Sequence, residues 1–109
     1  WKDYWHLPGG TVRYKETIEQ AVARIAQEEL HMSVRIVRTL GYIEYPGEEK
    51  ERGFGWAVSI PLLCVSTSTE FEVGRDASEA KVFTEVPDRM ILEQKAFLSA
   101  RWEEILSDR

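Results

Sequence analysis

At 109 residues the chain has room for one domain with a modest core. Its 43% hydrophobic and 30% charged residues are those of an ordinary soluble globular protein, and a net charge of −5 with no basic stripe argues against nucleic-acid binding by bulk electrostatics. No apolar run approaches the roughly 18 residues that cross a bilayer and no signal peptide is visible, so a cytoplasmic protein with no membrane partner is expected.

In chain order, "WKDYWHL" reads as a short aromatic strand or extended segment, stopped by Pro8-Gly9-Gly10. Glu16 to Leu30 read as a helix, with Thr17 as a cap and Glu19 and Gln20 in the first turn. The β-branched and aromatic residues from Ser33 to Tyr45 predict a strand bent at Gly41. "PGEEKERGFG" reads as a polar loop. Trp56 to Val65 predict the most buried strand, with Pro61 implying an edge or a bulge. Cys64 lies among apolar neighbours there and reads as core packing, since a lone cysteine has no internal disulfide partner. "TEFEV" and "EAKVF" predict two further short strands. Pro87 to Leu106 predict a second amphipathic helix with Ile91, Leu98, Trp102 and Ile105 on one side. This order predicts an α/β or α+β fold, with a sheet sandwiched by helices.

The first helix carries an anomaly. Ile18, Val22 and Ile25 form an apolar stripe, and four residues further on stands Glu29, beside Glu28. On a helical wheel Glu29 points between the directions of Val22 and Ile25. An unpaired carboxylate on a buried stripe is costly, and both acids fall in the last turn, where the helix dipole disfavours negative charge. Glu28 alone is explained by an ion pair with Arg24 at four residues' spacing. A hard divalent cation would relieve both problems, because Mg²⁺ typically uses a few carboxylates plus substrate phosphates. Gly9-Gly10 permits close backbone approach, and a free carbonyl there would be a further oxygen ligand.

"WHLPGGTVRYKETIEQAVARIAQEELHM" resembles the Nudix hydrolases, whose box reads G-x5-E-x7-R-E-U-x-E-E-x-G-U with U a bulky aliphatic residue. Gly10, Glu16, Arg24, Glu28 and Glu29 all stand at the required spacings, and the "W-x-L-P-G-G" lead-in is also typical. The resemblance implies an α/β/α sandwich with a mixed sheet. It also implies hydrolysis of a nucleoside diphosphate linked to another group, assisted by Mg²⁺ or Mn²⁺. By matching position, Glu28, Glu29 and the Gly9 carbonyl would hold metal, while Glu16 and Arg24 would brace the loop and helix. With Arg24, Glu28 and Glu29 form the expected catalytic set; Glu79, an acid before "AKVF", is a weaker candidate as ligand or base.

The departures bear on the chemistry. Ile25 stands where the box has glutamate, His31 replaces the glycine, and Ala26 is small for an aliphatic position. Loss of that glutamate is similar to the GDP-mannose mannosyl hydrolase branch, which displaces at the sugar carbon. That branch uses a histidine before its last strand, where a rough alignment puts Ala77, and it lacks the first acid of the pair, kept here as Glu28. The general base is therefore unassigned. Family members usually have a strand upstream of the position where this chain starts, at Trp1. Its absence would leave a sheet edge to cover, so a homodimer or other edge-covered assembly is expected.

Remaining polar and aromatic candidates have simpler readings. Glu48, Glu49 and Glu51 read as solvated loop residues that could fold over substrate, and His6 and His31 as structural. Tyr42, Tyr45, Phe54 and Trp56 could stack a base but read first as core or strand-pair residues. The alternative to an enzyme is a Nudix-fold module that binds a nucleotide or a protein without turnover.

Overall fold

The computed structural model describes residues 4–46, 57–66, 71–72 and 79–107. The chain is mixed α+β, with two helices, α1 (Ile18–Leu30) and α2 (Leu92–Ser107), and four short strands. The strands are β1 (Val34–Thr39), β2 (Ile43–Tyr45), β3 (Ala57–Ser59) and β4 (Leu62–Ser66). β1 pairs with β4 and β2 with β3 in two small two-stranded sheets. The chain divides into two compact units, one of Trp1–His6, Arg38–Leu63 and Thr84–Arg109, the other of Leu7–Val37 and Cys64–Phe83.

The first unit holds most of the buried core. β2 and β3 run antiparallel with Ile43 opposite Ser59 and Tyr45 opposite Ala57. Alternation along β2 buries Ile43 and Tyr45 and exposes Glu44, as the two-residue period of a strand requires. α2 packs on β2. Its buried face is Gln94, Phe97 and Leu98, with Met90 and Ile91 buried just before it. Gln94 is the one polar member of that core among the described residues, and its Nε2 donates to Tyr45 Oη at 3.1 Å. Tyr45 Oη lies 3.1 Å from Ser59 Oγ, so one hydroxyl links a helix amide to a strand. Trp5 takes part in a parallel bridge to Met90, with its N–H donating to the Arg89 carbonyl and its own carbonyl accepting from Ile91.

The second unit contains α1, the helix that carries the anomalous acids. Thr17 caps it: its side chain accepts from the Gln20 N–H at 3.1 Å, and the Gln20 side chain accepts from the Thr17 N–H at 2.9 Å. This reciprocal pair satisfies two of the N–H groups a helix start leaves without partners. The buried residues of α1 are the small Ala21 and Ala26; Ile18, expected on the buried stripe, is exposed.

Several predicted boundaries differ from the observed ones. The expected strand from Ser33 to Tyr45 is two strands, interrupted where Gly41 adopts φ +119°, a conformation open to glycine and strained for other residues. The expected strand from Trp56 to Val65 is likewise two, parted at Ile60 and Pro61, as a residue without an N–H interrupts a ladder. α2 starts at Leu92, five residues after Pro87. Among the described residues "EAKVF" has no strand pairing, and the same holds for Phe71 and Glu72; the rest of "TEFEV" lies outside the described residues. Trp1–Asp3 and residues 47–56, which include most of "PGEEKERGFG", also lie outside them.

The capping pair gives a direct test of α1. Thr17→Ala should lower stability by about 1 kcal/mol, the usual cost of losing a threonine cap, read from the urea midpoint at unchanged slope.

Candidate active site

The loop ahead of α1 is held to the helix by one guanidinium. Arg24 lies two turns into α1. Its Nε donates to Glu16 Oε2 at 2.8 Å, and its Nη2 donates to Glu16 Oε1 at 3.0 Å and to the Thr11 carbonyl at 2.8 Å. Two parallel charge-assisted bonds to one carboxylate fix both partners' orientation. Glu16 Oε1 also accepts from the Arg13 N–H at 2.9 Å, and the Glu16 N–H returns a bond of 2.9 Å to the Arg13 carbonyl. Lys15, between them, adopts φ +64°, part of the tight turn this clamp holds. The Arg24 guanidinium and the Arg13 N–H together hold the Glu16 carboxyl down to about pKa 2, from an ordinary 4.5. Glu16 in turn pushes the Arg24 pKa further up.

The two acids near the end of α1 have partners as well. Glu28 is met on both oxygens, Oε1 by Arg13 Nη2 and Oε2 by Arg24 Nη1, each at 3.5 Å. Glu29 Oε2 accepts from the Gly9 N–H at 3.0 Å. Glu29 thus ties the Pro-Gly-Gly loop to the helix end, and this bond answers the cost of placing a carboxylate on the stripe. Gly10 lies against Ile25: a Cβ at that position would sit 3.3 Å from Ile25 Cδ1. The residue standing for the box glutamate is therefore an apolar side chain packed on the loop.

His31 closes the helix in the left-handed region, with φ 53° and ψ 41°. Glycine has the least difficulty there, which gives the box glycine its physical reason; histidine is among the residues that tolerate the region better. The N–H groups of His31 and Met32 bond the Gln27 and Ala26 carbonyls, and the Glu72 N–H bonds the Leu30 carbonyl at 3.0 Å. These bonds satisfy carbonyls that a helix end leaves over.

Within the second unit Arg24 links Glu16 and Glu28, Gly9 is bonded to Glu29, and Gly10 lies against Ile25. Glu79 is exposed and outside any strand. Among the described residues no three His, Cys, Asp or Glu side chains form a group that could hold a metal ion, so Glu79 does not join Glu28 and Glu29 in one. Tyr45 is buried in the first unit and hydrogen-bonded, Tyr42 and His6 are exposed, and Cys64 is half-buried, its thiol pKa pushed up by burial. Glu48, Glu49, Glu51, Phe54, Trp56 and Ala77 lie outside the described residues. Sequence reasoning passed over Arg13 and the Thr11 carbonyl. The signal available was position: Arg13 stands three residues before Glu16, the reach of a turn.

Residues 1–100 match the family model of the NUDIX domain. The chain belongs to the Nudix family. It is 33% identical over 82 residues to an ADP-ribose pyrophosphatase of Methanocaldococcus jannaschii, a match covering 75% of this chain and 47% of that protein. It is 46% identical over 41 residues to the low-salt glycan biosynthesis protein Agl8 of Haloferax volcanii, covering 38% of this chain and 26% of that protein. The aligned stretches thus span less than half the length of these relatives. No helix among the described residues is long and apolar enough to cross a membrane.

The depressed Glu16 carboxyl sets a pH dependence. A carboxylate whose pKa falls on folding contributes stability that is present above its unfolded value and lost as pH falls through the folded one. The stability gap between the wild type and Glu16→Gln should therefore be widest near pH 6. It should narrow as pH drops from about 4.5 towards 2, measured by thermal unfolding across that range.

Proposed function

We propose that this Nudix chain is a divalent-metal-dependent hydrolase of a nucleoside diphosphate linked to another moiety, of the nucleotide-sugar or nucleoside triphosphate class. The supporting observation is the box network, in which Arg24 holds the loop through Glu16 and Thr11 while touching Glu28, and Gly9 is joined to Glu29. A site held this way is pre-organised, so little reordering is left for the reacting state. The name of the M. jannaschii relative makes ADP-ribose the first substrate to try. The α/β/α sandwich implied by the family resemblance belongs to the same reading.

Mg²⁺ or Mn²⁺ suits the donor set. Two adjacent carboxylates match the one or two that a Mg²⁺ ion uses when substrate phosphates and water complete its coordination. Glu28, Glu29 and the Gly9 carbonyl would hold it, and when bound it would neutralise the diphosphate and orient the attacking water. The protein's own part is positional. Glu16 and Arg24 keep the loop on the helix, and Arg24 orients Glu28. Ile25 removes the acid the box would supply, which leaves Glu79, the acid before "AKVF", as a weaker candidate for a base.

Ile25 also favours a second reading, a Nudix-fold module that binds a nucleotide or protein without turnover, since the side chain in the glutamate's place packs on Gly10. A panel of ADP-ribose, nucleotide sugars and nucleoside triphosphates with Mg²⁺ separates the two. Turnover of any of them supports the hydrolase, and binding with no product across the panel supports the module. Release of a nucleoside monophosphate would place attack at phosphorus, whereas release of the diphosphate from a nucleotide sugar is the product expected of attack at carbon.

Glu29→Gln tests the site within the enzyme reading. It keeps an oxygen for the Gly9 N–H and removes the charge, so metal-free melting temperature should change little. Turnover should fall by about a hundredfold or more. A melting temperature that rises equally with Mg²⁺ in both proteins would show that Glu29 is not a ligand.

A further inference from the structure

Glu28 is shared by two arginines that are bound very differently. Arg24 is committed elsewhere through three bonds of 2.8 to 3.0 Å, to Glu16 and Thr11, and its contact with Glu28 is the longest it makes, at 3.5 Å. For the Arg13 guanidinium, Glu28 is the one ion-pair partner among the described residues, also at 3.5 Å. The Arg13 backbone is anchored on both sides of its peptide unit by Glu16, while its side chain is 61% exposed. An arginine with a fixed base, a solvent-facing side chain and one loose contact can leave that contact at small cost. Its fork-shaped donor set is well suited to two oxygens of a phosphate.

We propose that Arg13 is a diphosphate-binding residue that neutralises Glu28 in the ligand-free protein and exchanges it for the substrate's diphosphate when a cation takes its place at that carboxylate. The inference rests on the metal-dependent reading above. Arg24 cannot make this exchange, because leaving Glu28 would not free it from Glu16. The exchange keeps Glu28 paired in both states and supplies positive charge to an anionic substrate in a protein whose net charge is −5.

Binding measurements on folded protein test this apart from turnover. Mn²⁺ alone should bind Arg13→Gln about threefold tighter than wild type, because an exposed ion pair of ordinary strength no longer competes for Glu28. ADP in the presence of Mg²⁺ should bind the same variant about tenfold more weakly, the loss of a charge-assisted contact. Arg13→Lys, which keeps the charge but not the fork, should restore Mn²⁺ affinity to the wild-type value and ADP affinity in part. Both substitutions leave the backbone N–H that Glu16 holds, and circular dichroism confirms that the variants are folded. Mn²⁺ affinity unchanged in Arg13→Gln overturns the exchange even if ADP binding weakens, and ADP affinity unchanged overturns the diphosphate role. If the wild type and both variants bind no Mn²⁺, with or without ADP, the metal-dependent reading fails and the inference with it. Wild-type Mn²⁺ binding with an unresponsive Arg13→Gln overturns the inference alone.

Discussion

The candidate site depends on one ion pair, the two-pronged bond between Arg24 and Glu16. Glu16 precedes the helix and Arg24 lies two turns inside it, so the pair closes the loop onto the helix. Because the same guanidinium reaches the Thr11 carbonyl and Glu28, loop backbone and helix-end acid share one reference point. A lysine could not replace it, having a single nitrogen where this geometry uses three. The fixed gap between the box glutamate and arginine is thus a statement of reach: the intervening residues must contain the cap at Thr17 and the two turns that bring Arg24 level with the loop.

The same economy explains the end of α1. Two carboxylates near a helix C-terminus oppose the dipole, and no basic residue stands in the last turn to offset them. The compensation comes from Arg24 one turn earlier in the helix and, outside it, from the Arg13 guanidinium and the Gly9 N–H, both in the loop that Arg24 holds. The acids therefore depend on the loop, and the loop depends on Arg24.

Much of this local order was legible in the sequence. The spacing picked out Glu16, Arg24 and Glu28, which meet because the gaps between them are set by helix pitch and a short turn, and Thr17 announced itself as a cap. What was not legible depended on contacts distant in sequence. Gln94 is a polar residue on the buried face of α2, and its place there is explained only by Tyr45, whose hydroxyl accepts its hydrogen bond and in turn meets Ser59. The β-branched "VRIVRTLGYIEY" reads as one strand bent at Gly41, because the glycine marks the place but not that its positive φ parts the run into two strands. "EAKVF" has the composition of a strand, but composition does not supply a partner strand. The role of Arg13 stayed hidden for another reason: an exposed arginine in a loop has no pattern until its carboxylate is placed.

Ile25 is where the chain departs most from its family's box, and the local charge count shows what the departure changes. Glu16, Glu28 and Glu29 are three carboxylates in contact with two guanidiniums, Arg13 and Arg24, and with the Gly9 N–H. A box glutamate at position 25 would add a fourth carboxylate against the loop, facing Gly10, with two guanidiniums still to balance it. Isoleucine instead fills that contact with apolar atoms 3.3 Å from where a Gly10 side chain would begin. The loop then meets an apolar side chain at this position, beside the ion pairs of Glu16 and Glu28 and the Gly9–Glu29 hydrogen bond. The two acids left at the helix end match the one or two carboxylates with which a Mg²⁺ ion is usually satisfied when phosphate oxygens complete its shell. At position 25 the helix thus offers the loop an apolar contact instead of a third acid, and that position supplies no base.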